Sequence, residues 1–212
     1  TKNQKSIAYT LNNIGLIHKW LKQYDKALGY FNESLTLKRK LNDKYTIANN
    51  IGNIGDVYML KKQYDLALTY YYNALNIMSK NNDKIGISTT LLNIASVNIK
   101  KNKPDYAIEE LNKAFIIAQK ENLRDIKKEI LKTFSEAYEK KNEHSIALDY
   151  FHQYNALKDS IYNEDNANKI IELDIAYNSE RIERENENLR LKSQRKDEEL
   201  FEQISVKYLL IF

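Results

Sequence analysis

Ile47-Ala48-Asn49-Asn50-Ile51-Gly52-Asn53-Ile54-Gly55-Asp56-Val57-Tyr58, followed after a short polar break by Tyr64-Asp65-Leu66-Ala67-Leu68-Thr69-Tyr70-Tyr71-Tyr72-Asn73-Ala74, decides the fold. Apolar and small residues recur at three- and four-residue steps in both stretches, the spacing of one face of an α-helix. The break at Lys62-Gln63 separates them, so the unit is a helix hairpin. The pattern returns without gaps every 40 residues: Ile7-Ala8, Ile47-Ala48 and Ile87-Ser88 open three segments and Lys127 opens a fourth. Leu11, Ile51, Leu91 and Leu131 share a column, as do Ile14, Ile54, Ile94 and Phe134. Further columns hold Gly15, Gly55, Ala95 and Ser135, then Ala27, Ala67, Ala107 and Ala147, then Phe31, Tyr71, Leu111 and Phe151. The small residues of the first helix are expected to face the alanines of the second, where a bulkier side chain would push the helix axes apart. Asp25, Asp65 and Asp105 fall in the first turn of the second helices, where a carboxylate complements the positive helix end, and Pro104 is tolerated at such a start.

Composition points the same way. The 212 residues contain one Pro and five Gly, too few for the turns of a β-sandwich or the glycine-rich crossovers of a Rossmann-type fold. With 33 Lys and Arg against 29 Asp and Glu the net charge is +4, too balanced to announce a nucleic-acid protein. A hydrophobic share of 42% beside 29% charged residues fits an elongated solenoid with much wetted surface. The expected class is all-α: a right-handed superhelix of about four 40-residue hairpins, followed by a long C-terminal helix.

The order of large, apolar, small and aromatic positions, then Ala, aromatic and small, resembles the tetratricopeptide repeat (TPR). It reads Ile51, Ile54, Gly55, Tyr58, Ala67, Tyr71, Ala74 in one copy and Leu11, Ile14, Gly15, His18, Ala27, Phe31, Ser34 in another. The resemblance covers residues 7–163 in four copies, 7–46, 47–86, 87–126 and 127–163. The period of 40 exceeds the usual 34 of that family, which implies a longer second helix and added loops such as Asn42-Asp43-Lys44 and Asn81-Asn82-Asp83-Lys84. Tyr154 stands where the other copies have Ser34, Ala74 and Ala114, as suits a terminal repeat.

In folds of this family the first helices line a concave face that holds a peptide or protein segment. The column two residues after Leu11 carries Asn13, Asn53, Asn93 and Thr133. Asn costs about 0.5–0.7 kcal/mol against Ala inside a helix, so three in register imply a compensating use. Two uses are open: bonding the backbone of an extended peptide, as Asn does at the similar position of related proteins, or bonding neighbouring helices of the stack. Tyr9, Asn12, Lys19 and Trp20 in the first copy and Asn49 and Asp56 in the second are further candidate ligand contacts, although Trp20 could equally cover the hairpin turn. The columns that carry paired cations in a carboxylate clamp hold Asn12, Gly52 and Leu92, so no chaperone-tail clamp is expected. The 16 tyrosines are read as packing between repeats rather than a base-stacking platform, which needs a basic groove.

No catalytic, metal or cofactor site is expected. The chain lacks Cys, its three histidines, His18, His144 and His152, stand apart from one another, and no phosphate-cradling or nucleophile-elbow motif occurs.

Beyond residue 163 the repeat stops. Residues 164–203 read as one charged signalling or capping helix, in which Ile175, Ile182 and Leu189 repeat at seven while Asn178, Glu185 and Lys192 occupy the companion seam, so any coiled coil is weak or polar. A homodimer through this helix is the expected assembly. Residues 204–212 are apolar enough to begin a transmembrane helix, although nine residues do not span a bilayer. The segment Leu157 to Glu164, with Ile171-Glu172-Leu173 and Tyr177, resembles the junction of bacterial membrane-anchored TPR sensors, which lead into a histidine kinase or a DNA-binding domain. That resemblance implies a protein- or peptide-binding sensor domain of a two-component kinase, extracytoplasmic and attached to the membrane after Phe212, with no nucleic acid bound by this part. A soluble scaffold and a cytoplasmic peptide-responsive regulator are the alternative readings.

Overall fold

The computed structural model describes the backbone of residues 2–209 and the side chains of 3–43 and 46–196. Two compact units result, Thr1–Lys158 and Asp159–Phe212. The first is a row of hairpins. Helix α1 (Lys2–Trp20) packs on α2 (Tyr24–Lys40), α3 (Lys44–Leu60) on α4 (Tyr64–Lys80), and α5 (Lys84–Lys100) on α6 (Pro104–Lys120). Each second helix also packs on the next first helix, with α7 (Arg124–Lys140) against α6. The first helices touch in the order α1, α3, α5, α7 and form one inner row. The all-helical hairpin solenoid expected from the sequence is therefore the observed architecture.

A cadence of 20 rather than 40 sets the helix ends. Helices α2 to α7 all have 17 residues. Among the described residues, those in the left-handed region are Lys22, Asn42, Lys62, Asn82, Asn102, Asn122 and Asn142, with φ between 52° and 61°. At each, the following N–H reaches back five residues, as in Gln23 to His18 at 2.8 Å, Asp43 to Lys38 at 3.1 Å and Lys103 to Asn98 at 2.8 Å. The left-handed residue itself bonds three back, as in Lys62 to Met59 at 2.9 Å. This is the Schellman ending, which satisfies the last carbonyls of a helix. Asn tolerates the left-handed conformation better than other non-glycine residues, so five of the 25 asparagines are explained as turn residues.

The cadence corrects two expectations. The extra length over a 34-residue repeat is shared by helices of equal length and adds no loop: the turns between hairpins, 41–43 and 81–83, are as short as those within them, and Lys44 and Lys84 are already helical. Asp43 and Asp83 are N-caps, accepting from Thr46 N at 3.4 Å and Gly86 N at 2.9 Å. The next turn due would centre on Tyr162, whose Cβ and ring disfavour a left-handed backbone. Helix α8 accordingly has no turn there and is assigned from His144 to Leu209.

The cadence also carries a prediction. Lys22 and Lys62 hold positive φ at exposed positions without the side chain that best tolerates it. Lys22→Gly and Lys62→Gly should each stabilise the chain by about 0.5–1 kcal/mol, read as a higher urea midpoint, whereas Asn42→Gly should gain less.

Size complementarity fills each hairpin, though with a different partner from the one expected. A Cβ on Gly15 would lie 2.6 Å from the ring of Phe31, and one on Gly55 would lie 2.8 Å from that of Tyr71, so the glycines make room for the aromatic column rather than chiefly for the alanines. Where the glycine becomes Ala95 the aromatic becomes Leu111, and both are fully buried. Tyrosine rings stack within hairpins, Tyr58 on Tyr70 at 5.2 Å and Tyr138 on Tyr150 at 5.4 Å, while Tyr71 packs with Ile94 and Val97 of the next repeat, as expected of packing between repeats. His18 takes the same place against Tyr30.

Successive repeats are tied by pairs 36 residues apart. Lys61 meets Asp25 at 2.7 Å, Lys141 meets Asp105 at 2.9 Å, and Lys101 meets Asp65 in the same way. The Asp row expected at helix starts is thus also one half of an inter-repeat ion-pair ladder. Its carboxylates are exposed, so solvent screens each pair and the ladder adds little to stability.

Candidate functional site

The inner row places most of the candidate residues together. Between α3 and α5 lies a pocket of about 300 Å³, lined by Asn49, Gly52, Asn53 and Asp56 from α3, by Ile85, Gly86, Thr89, Thr90 and Asn93 from α5, and by Met78 and Asp83. Four of the candidates, Asn49, Asn53, Asp56 and Asn93, line it. The helical period explains why: residues three and four apart along α3 share one face, and that face borders the pocket.

The amides also bond across the stack. Asn53 Nδ2 donates to Asn12 Oδ1 at 3.1 Å, and the fully buried Asn50 adds its own amide to the same oxygen at 3.3 Å. Asn93 Nδ2 reaches Asp56 Oδ1 at 3.5 Å. Asp56 is the hub of the site, because its carboxylate also accepts the Tyr71 hydroxyl at 2.8 Å and the Lys19 ammonium at 2.7 Å. Burial, and after it the Asp56 carboxylate, pushes the Tyr71 phenol well above its usual range, so this hydroxyl remains a donor at any physiological pH. Asp56 therefore joins three first helices: α1 through Lys19, its own α3, and α5 through Asn93. Asn12 and Lys19 thus stand beside the pocket, in contact with two of its lining residues.

The remaining candidates lie elsewhere. Asn13 is exposed on α1 and sits in no shared network among the described residues. Tyr9 lies at the α1–α2 seam, where the Lys38 ammonium stands 5.5 Å from its ring centroid. Lys38 is almost fully buried and donates weakly to Thr46 O at 3.4 Å. Burial lowers its pKa, partly offset by Asp43. Trp20 is 82% exposed at the end of α1 and covers no hairpin turn.

Gly52 is the residue that sequence reasoning passed over as a site feature. A Cβ built on it meets nothing within 4 Å, yet it sits inside α3 and lines the pocket. A helix-interior glycine costs about 1 kcal/mol against Ala, and packing does not explain this one as it explains Gly15 and Gly55. The residue keeps a stretch of α3 backbone open to the pocket. The only signal in the sequence was its place in the column Asn12, Gly52, Leu92.

Among the described residues no group of three or more His, Cys, Asp or Glu side chains is arranged to hold a metal ion, and no helix is long and apolar enough to cross a membrane. The apolar run 204–212 lies outside the residues whose side chains are described, and 210–212 lie outside the described backbone as well.

Comparison with known proteins gives the same architecture. The chain resembles a STAND protein with a tetratricopeptide repeat sensor from Pyrococcus horikoshii, with TM-score 0.68 and 16% identity, over 77% of this chain and 26% of that one. It resembles the apo form of RapI, with TM-score 0.67 and 18% identity, over 74% of this chain and 44% of the other. It is also similar to the Rap conjugation gene regulator of plasmid pLS20, solved in complex with the Phr* peptide, with TM-score 0.63 and 16% identity, over 70% of this chain and 42% of that one. At these identities the likeness is one of fold, and the chain spans less than half the length of each of the three. No curated protein matches the sequence significantly. Two family models, both described as tetratricopeptide repeat, match residues 8–41 and 45–120. With its glycine–aromatic columns, its paired helices and these two matches, the chain belongs to the tetratricopeptide-repeat family.

Proposed function

We propose that this chain is the peptide-sensing part of a bacterial signal-transduction protein, and that the pocket between α3 and α5 receives the backbone of an extended peptide. Tetratricopeptide repeats are protein- and peptide-binding scaffolds, and similar folds include a sensor of a STAND protein and a Rap regulator solved with a peptide. The observation that carries the reading is Gly52. Its missing side chain leaves α3 backbone accessible beside Asn49, Asn53 and Asn93, whose carboxamides offer both donors and acceptors to a peptide backbone. Because Asn53 and Asn93 also hold neighbouring helices, replacing them disturbs the stack as well as the site.

Gly52 allows a cleaner test. Gly52→Leu fills the pocket without meeting any protein atom near its Cβ, and it also raises helix propensity. Peptides selected by the wild-type chain from a random octapeptide library should bind the Gly52→Leu chain at least about tenfold more weakly, a loss of about 1.4 kcal/mol. The urea midpoint should hold or rise. Retained affinity, or failure of the wild-type chain to select any peptide, overturns the reading.

The finer reading joins this sensor to a two-component histidine kinase at a membrane. The alternative, a cytoplasmic peptide-responsive regulator, is favoured by the Rap-like fold of the repeats. A membrane-anchored kinase requires paired chains to enter the bilayer in the same direction, which makes the direction of helix pairing informative.

A further inference from the structure

The second unit, Asp159–Phe212, is helical over its described length, and its apolar side chains from Tyr162 to Leu191 are exposed. Ile171, Ile175, Ile182 and Leu189 are each more than half exposed. At 100° per residue these four, together with Asn178, Asn186 and Ser193, fall within about 40° of the direction of Ile182. The stripe has the same outline read from either end. Four residues on each side of Ile182 stand Asn178 and Asn186; seven on each side stand Ile175 and Leu189; eleven on each side stand Ile171 and Ser193.

Charge follows the same symmetry with its sign reversed. Glu172 and Asp174 flank the stripe on its two sides, ten and eight residues before Ile182. Lys192 and Arg190 flank it ten and eight residues after. A second copy running the opposite way, with the two-fold axis through Ile182, brings Glu172 beside Arg190 and Asp174 beside Lys192 at both ends, and Arg181 beside Glu185 near the centre. Ile175 then meets Leu189, and Asn178 lies level with Asn186, where each amide can satisfy the other. A parallel pair instead sets Glu172 of one copy beside Asp174 of the other and Arg190 beside Lys192, and like charges across a helix seam repel.

We infer that residues 171–193 form an antiparallel helix pair with the same segment of a second copy of this chain, centred on Ile182. The inference goes beyond the peptide-binding reading and does not depend on it. It points away from a membrane-anchored kinase, because antiparallel segments 171–193 carry the chains onward in opposite directions.

The chain contains no cysteine, so introduced cysteines report direction. In the antiparallel register position 178 of one copy faces position 186 of the other, while the two copies of position 178 are offset by eight residues, about 12 Å along the axis. That offset exceeds the span of a disulfide. The full chain carrying Asn178→Cys, mixed with the full chain carrying Asn186→Cys and mildly oxidised, should give a disulfide-linked heterodimer, whereas either variant alone stays uncrosslinked. The Glu172→Lys/Asp174→Lys variant should raise the dissociation constant at least about tenfold, and adding Arg190→Glu and Lys192→Glu should restore it. Self-crosslinking of Asn178→Cys, or a monomer mass in sedimentation equilibrium up to about 100 μM, overturns the inference.

Discussion

Phe134→Ala should cost about 3–5 kcal/mol and should unfold the C-terminal hairpins while leaving α1 to α4 protected. The ring is 1% exposed and sits among three others: Tyr150 at 4.6 Å, Phe115 at 6.3 Å and Tyr138 at 6.4 Å between centroids. It belongs to a cluster with Leu91, Ala95, Ala107, Leu111, Ile130 and Ala137 that spans α5, α6 and α7. A separate cluster around Phe31, Ile51, Ile54 and Val57 serves α1 to α4. In a solenoid each repeat contacts only its neighbours, so a cavity in one cluster weakens the adjoining interfaces first. Hydrogen exchange resolved along the chain measures this. Amides of α6 and α7 should lose protection at denaturant concentrations where α2 and α3 keep theirs, and a uniform loss along α1 to α7 would refute the local account.

Gly55→Ala should destabilise by about 1–3 kcal/mol, although Ala is the better helix former by up to about 1 kcal/mol. The new methyl lies 2.8 Å from a Tyr71 ring that is itself fully buried and anchored through its hydroxyl to Asp56. The ring has no free direction in which to yield. Tyr71→Leu alone leaves a cavity and takes one donor from Asp56. The double variant reproduces the Ala95–Leu111 pairing of the third repeat, so the two losses should not add. A double-mutant cycle in urea should return a favourable coupling of about 1 kcal/mol or more, and simple additivity would falsify the size-matching account.

Much of this fold was legible because its determinants are local. Apolar spacing along one helix names the helix and the face it buries, and the in-phase return of the columns headed by Gly15 and by Phe31 names the hairpin, although that these two columns meet each other came only from the structure. The 20-residue cadence was equally present as Lys22, Asn42, Lys62, Asn82, Asn102, Asn122 and Asn142, but Asn suits both a left-handed turn and a polar helix face. Composition and spacing alone could not divide the asparagines between these two uses. Gly52 was hidden for the opposite reason. A glycine that makes room for a neighbouring side chain and one that leaves backbone open are the same letter, and only the atoms around a built Cβ separate Gly55 from Gly52.

The sequence by itself determined the hairpins, their repeat and the columns that fill them, since each depends on residues within one helix or on helices joined by a three-residue turn. The tertiary structure decided what the inner face does with its polar groups. Lys19 to Asp56, Asn12 to Asn53 and Asp56 to Asn93 join residues 37, 41 and 37 positions apart. Whether such residues meet depends on how far each hairpin rotates against the last, and that rotation is set by packing across the interface between repeats. No local pattern encodes it. Asn53 and Asn93 therefore emerged both as pocket lining and as ties of the stack, with Asp56 as the carboxylate that joins three helices.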